Sequence, residues 1–167
     1  TWRNSHTHTY DEGLLADYDS LAPKMSAHNL MIVHLLGQHV EFSDRVPPAR
    51  HHFQPSDYDR RDLSPGKRAI LADYDNAVLY GDSVTDMLLS RENNRESIVI
   101  FVSDHGERVF DANSQQYGRS NSLSPVDVRQ QYEVPMWIWA SPSYRRCHPE
   151  IIRALRHAAN LPFSTDR

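Results

Sequence analysis

The stretch Ser97-Ile98-Val99-Ile100-Phe101-Val102-Ser103-Asp104-His105-Gly106-Glu107 decides how the chain is read. Ile98 to Val102 are apolar and mostly β-branched or aromatic, which predicts a strand buried on both faces. A carboxylate, an imidazole and a glycine follow Ser103. In an open parallel sheet, ligands gather at the carboxyl ends of the strands, which is where Asp104 and His105 would stand. Together they offer a hard oxygen and a borderline nitrogen, a pair suited to zinc or manganese. Gly106 lets the backbone turn away without a Cβ clash, so both side chains can face one pocket. The competing reading is a plain turn in which Asp104 caps a following helix.

At 167 residues the chain is long enough for a single domain with a real core, and its 39% apolar and 24% charged content is that of a globular protein. A net charge of −4 implies no broad basic face for nucleic acid. Cys147 is the only cysteine, which excludes an internal disulfide. No apolar run approaches the ~20 residues of a membrane helix, and the start has no signal-peptide pattern. The chain is therefore expected to be soluble. It opens on Thr1 rather than Met, which is read as the start of a fragment.

Outward from the central stretch, Thr1 to Thr9, with His6 and His8, reads as a frayed terminus. Leu14, Leu15, Tyr18 and Leu21 fall at helical spacing, so a short amphipathic helix is expected between Tyr10 and Leu21. Asn29 to Leu36 is a second candidate buried strand. Were it parallel to the first, His34 near its end and His39 in the following loop would open on the same edge as Asp104 and His105. A histidine in an apolar strand is otherwise an ordinary hydrogen-bonded core residue.

Phe42 to Leu63 lacks periodicity and reads as a long surface loop, a class that is commonly functional. Ser64-Pro65 supplies an N-cap and a first-turn proline for a helix running to about Ser90. Its expected stripe is Ile70, Tyr74, Val78, Gly81, Val84 and Leu88, with Gly81 marking a close approach to the sheet. The residues from Glu107 to Gln131 read as a polar stretch. Val134 to Ala140 is a third strand with a tolerated proline near its start. His148-Pro149 opens a last helix whose Ile151, Ile152, Leu155 and Ala159 should face inward. The alternation is that of an α/β domain, with a sheet thin enough to suggest that part of it is missing.

Val33-His34-Leu35-Leu36-Gly37-Gln38-His39, Arg45-Val46-Pro47, Phe53, Tyr74-Asp75-Asn76, Ser103-Asp104-His105-Gly106-Glu107 and Val134-Pro135-Met136 occur in that order. From residue 10 to 160 the chain resembles the carboxyl-terminal half of bacterial phosphoethanolamine transferases, of the alkaline phosphatase/sulfatase superfamily. The resemblance implies a partial sulfatase-like sandwich, a mostly parallel sheet flanked by helices, as the carboxyl-terminal part of a periplasmic catalytic domain at the bacterial inner membrane. It implies that Asp104 and His105 bind zinc. It implies further that His34 and His39 line the donor phosphate or a second zinc, one of them serving as general acid or base. The chemistry implied is ping-pong: a zinc-activated threonine takes phosphoethanolamine from phosphatidylethanolamine and passes it to lipopolysaccharide.

The family's nucleophilic threonine and a further glutamate ligand match no residue here, so the isolated chain is expected to be inert. Lipid A-modifying members carry a histidine and glycine twelve residues after the motif histidine, where this chain has Tyr117-Gly118. They also carry several cysteines. Both differences, with Gly118-Arg119-Ser120-Asn121, resemble the branch that modifies the heptose core. Arg119 could grip a substrate phosphate through its planar fork, or be a solvated loop charge. Glu107 could support His105, or stabilise the turn. The alternatives are a metal-dependent phosphatase or sulfatase of the same superfamily, and a non-catalytic α/β module.

Overall fold

The structure is a computed structural model that describes residues 8–111, 114–161 and 164. His6 and most of the expected frayed terminus lie outside the described residues. The elements, in chain order, are α1 (Gly13–Leu21), α2 (Pro65–Glu92), β1 (Ile98–Val102), α3 (Pro125–Tyr132), β2 (Met136–Ala140), α4 (Pro142–Cys147) and α5 (Pro149–Ala158). They fall into two compact units, one of residues 1–88 and 104–134, the other of residues 89–103 and 135–167.

The larger unit is built on α2, whose buried face is Ala72, Asn76, Ala77, Tyr80, Gly81 and Val84. Tyr74 and Leu88 of the expected stripe lie partly buried against the core, whereas Val78 is turned to solvent. Phe42, Val46 and Leu63 from the long loop complete that core with Val109 and Phe110. One side chain of α2 ties the loop to the helix. Asn76 Oδ1 accepts from the amides of His52 (2.7 Å) and Phe53 (2.8 Å), and Nδ2 donates to Phe53 O (3.0 Å). Buried amides need partners, so an asparagine inside a helix here replaces a strand that the loop does not have. Gly81 does mark a close approach, but to the Gln38 side chain rather than a sheet: a Cβ would stand 2.9 Å from Gln38 Nε2. His8 is tied down, its Nε2 2.8 Å from Asp17 Oδ2 on α1.

In the smaller unit β1 and β2 pair antiparallel, with Ile98 opposite Ala140 and Val102 opposite Met136. The α/β mixture stands, but the direction corrects the mostly parallel sheet expected. Among the described residues this is the one sheet, and it has two strands. Asn29–Leu36 forms no strand, with Leu30 and Ile32 89% and 83% exposed. Neither strand is covered on both faces; Ile98, Ile100, Val102, Met136 and Ile138 are open to solvent, while Phe101 stacks on Trp137 at 5.0 Å on the other face. The inward face expected of α5 is not buried either: Ile151 is exposed, and no α5 residue is fully buried. Apolar composition marks a segment for burial, but burial needs a second surface.

Asn76→Ala, which strands two loop amides, should lower the unfolding free energy by about 2–3 kcal/mol. Urea denaturation followed by circular dichroism measures this.

Candidate metal site and its supporting loops

Asp104 follows β1 in the chain by two residues and is 85% exposed along its side chain. Asp104 Oδ1 accepts from the His105 amide (3.0 Å), which fixes the carboxylate over the turn. Its other oxygen, Oδ2, lies 3.8 Å from His105 Nε2. His105 Nδ1 is 2.9 Å from Gly106 O. A carbonyl oxygen only accepts, so Nδ1 carries a proton, and in the neutral ring the lone pair is then on Nε2. That is the tautomer a metal ligand requires. An oxygen and a nitrogen donor at this spacing fit zinc in kind, with bonds of about 2 Å each. They supply two of the three or four protein ligands a zinc site uses.

The turn is held from below. Gly106 N donates to Gln131 O (2.8 Å), and a Cβ on Gly106 would stand 2.1 Å from Gln130 O. Only glycine allows that approach. Gln131 is buried and uses its side chain as well: Oε1 accepts from Ser120 N (2.7 Å), and Nε2 donates to Asp127 O (3.0 Å). Between these points the chain doubles back. Val109 and Tyr117 form an antiparallel bridge, and Gly118 N donates to Arg108 O (2.9 Å). Arg108, buried beneath, donates to Gly118 O (2.9 Å), Gln116 Oε1 (2.7 Å) and Asp127 Oδ1 (2.9 Å).

The hydroxyls of Ser122 and Ser124 and the Arg108 guanidinium hold the Asp127 carboxyl down at about 2. Glu107 behaves oppositely. Burial pushes its carboxyl above the usual range, against the opposing pull of His105, Arg119 and Arg108, and its Oε1 is shielded without a hydrogen-bond partner.

His34 lies exposed on the segment that forms no strand, not at a strand's exit. His39 is also exposed, on a loop that is firmly pinned. Asp11 accepts from the amides of Leu36 (2.9 Å) and Gly37 (2.8 Å), Gly37 takes the left-handed φ of 54°, and Arg45 Nε donates to His39 O (3.1 Å). Asp104 and His105 are neighbours; among the described residues no group of three or more His, Cys, Asp or Glu is arranged to hold a metal ion. Arg119 is exposed, within the electrostatic reach of Glu107. Gln131, Arg108 and α3 were not expected from the sequence. The signal was there: Ser124-Pro125 with Asp127 repeats the capping pattern that marks α2, and Ser124 Oγ accepts from Asp127 N (3.2 Å).

The sulfatase family profile matches residues 1–164. The chain belongs to the sulfatase family. Phosphoethanolamine transferase EptC of Escherichia coli is 29% identical over 150 residues, covering 88% of this chain and 26% of that protein. Kdo(2)-lipid A phosphoethanolamine 7''-transferase of Salmonella typhimurium is 27% identical over 157 residues, 92% of this chain and 27% of the relative. The crystal structure of the carboxyl-terminal periplasmic domain of E. coli EptC in complex with zinc is similar at a TM-score of 0.76 and 28% identity, over 89% of this chain and 42% of that one. The chain thus spans about a quarter of the length of these curated relatives. The likeness to phosphoethanolamine transferases expected from the ordered motifs is borne out, as is the partial sulfatase-like fold.

The folded state holds Asp127 ionised below its ordinary value of 3.8. Its contribution to stability is therefore complete above about pH 4 and lost as pH falls toward 2. Urea midpoints should drop through that window, and Asp127→Asn should flatten the drop.

Proposed function

We propose that the chain is the carboxyl-terminal part of the catalytic domain of a phosphoethanolamine transferase, with Asp104 and His105 holding a zinc ion. One observation carries this: His105 Nε2 stands 3.8 Å from the exposed Asp104 carboxylate, with Nδ1 of the same ring on Gly106 O. Zinc bound there would lower the pKa of a hydroxyl and neutralise phosphate charge. Asp104 and His105 contribute by presenting their donors on a turn that Gln131 keeps from shifting.

His34 and His39 are read as the residues that line the phosphate and move its proton, since an imidazole can both accept and donate a proton and both are open to solvent. Arg119 is read as a phosphate contact. The nucleophile is read as a threonine outside this chain that carries phosphoethanolamine from phosphatidylethanolamine to lipopolysaccharide, in the branch that modifies the heptose core. The setting is the periplasmic face of the inner membrane, reached through membrane helices outside this chain. Among the described residues no helix is long and apolar enough to cross a membrane. The names of the relatives support the transfer of phosphoethanolamine.

Zinc titration by calorimetry should show affinity that falls about tenfold or more in Asp104→Ala and in His105→Ala. The isolated chain should not turn over a phosphatidylethanolamine analogue; turnover that survives Asp104→Ala would defeat the assignment.

A further inference from the structure

Asp11 stands at the approach to α1, and its two carboxylate oxygens reach successive amides of a distant turn. Oδ1 accepts from Leu36 N (2.9 Å) and Oδ2 from Gly37 N (2.8 Å). We propose that Asp11 is a positioning residue for His39, holding the turn that presents its imidazole; the assignment rests on the reading of His39 as a residue that meets the substrate phosphate.

The turn needs a partner from outside. It is closed by one hydrogen bond, from His39 N to Leu36 O (3.1 Å), and it passes through Gly37 at a φ of 54°. Nothing stands within 4 Å of a Cβ built on Gly37, so glycine serves there for its backbone angle and not for lack of room. The segment that leads in forms no strand, so the Leu36 and Gly37 amides have no ladder to join and take the carboxylate instead. A charged acceptor makes the stronger kind of hydrogen bond.

Asp11 can hold the turn because it is itself held. Leu14 N donates to Asp11 O (3.0 Å) as α1 begins, and the next amide, Glu12 N, donates to Tyr80 Oη on α2 (3.3 Å). From the turn, Gln38 Nε2 donates to Ala77 O on α2 (3.2 Å), and Arg45 Nε donates to His39 O (3.1 Å). Asp11 is the anchor on the two residues that lead the chain into the turn.

What the anchors fix is the ring. His39 Nδ1 lies 2.6 Å from Val40 O. The carbonyl only accepts, so Nδ1 carries a proton, and in the neutral ring the lone pair is then on Nε2 of an exposed side chain. His105 makes the same bond to the carbonyl of the residue after it. An imidazole held in this tautomer accepts a proton at Nε2, the atom that would meet a phosphate hydroxyl. That bond is only as firm as the backbone that aims the Val40 carbonyl, which is where Asp11 acts.

The test is a long-range ¹H–¹⁵N NMR spectrum of the histidine side chains of the chain without zinc, together with the amide exchange rates of Leu36 and Gly37. In the unsubstituted chain His39 should show the Nδ1–H tautomer. Asp11→Ala should turn it into a mixture of tautomers and speed exchange at the two amides about tenfold or more. Asp11→Asn keeps the shape and one acceptor oxygen, so it should stay folded and fall between the two. His105, whose ring bond does not involve Asp11, should keep its tautomer throughout. A His39 tautomer that survives both substitutions, even with a lower urea midpoint, would make Asp11 a structural residue only and overturn the proposal. A His39 that begins as the Nε2–H tautomer, or a change that spreads equally to His105, would overturn it too. Inorganic phosphate separates the two readings. If it leaves the His39 ring unmoved while the tautomer follows Asp11, the phosphate reading of His39 fails and the positioning by Asp11 stands.

Discussion

Gly106 packs against the backbone of Gln130 and Gln131 so closely that no other residue fits, and the candidate site depends on that contact. The hydrogen bond from Gly106 N to Gln131 O fixes the turn on which Asp104 and His105 stand. Because Gln131 sits on a helix capped by Ser124 and braced by Arg108 and Asp127, the turn inherits the stiffness of that helix. The exposed Asp104 and the half-buried His105 are then held in place relative to each other, which is what a metal site demands of its support.

The same economy shapes the rest of the larger unit. Asn76 and Asp11 each accept from two backbone amides of neighbouring loops, and Gln131 accepts from one through its side chain and one through its carbonyl; each is placed by a helix or its approach. Irregular backbone is kept in place by these polar side chains where a sheet ladder would serve elsewhere. The smaller unit, by contrast, leaves Ile98, Ile100 and Val102 open on one face of its two-stranded sheet. Residues with the pattern of an interior strand have no second surface among the described residues.

What was legible in the sequence follows from the range of each interaction. α2 was readable because its N-cap, first-turn proline and apolar stripe are local, and β1 and β2 because their apolar runs are bounded by turns. Strand direction was not, since nothing within a strand records its partner; β1 turned out antiparallel to β2. Asn29–Leu36 was read as a strand from composition, yet a strand exists only where it is paired. The ordered motifs pointed correctly to the sulfatase family, and Asp104 and His105 prove to be in mutual contact. The clamp beneath them was missed because Gln131 has no signature of its own; its importance lies in partners eleven and twenty-five positions away.

The most direct measurement is a long-range ¹H–¹⁵N NMR spectrum of the histidine side chains, recorded as zinc is added to the chain. The account predicts that His105 starts with its proton on Nδ1, that its Nε2 resonance moves first, and that Asp104→Ala removes this response. Zinc that moves other histidines first, such as His51 and His52, while His105 stays unperturbed, would contradict it.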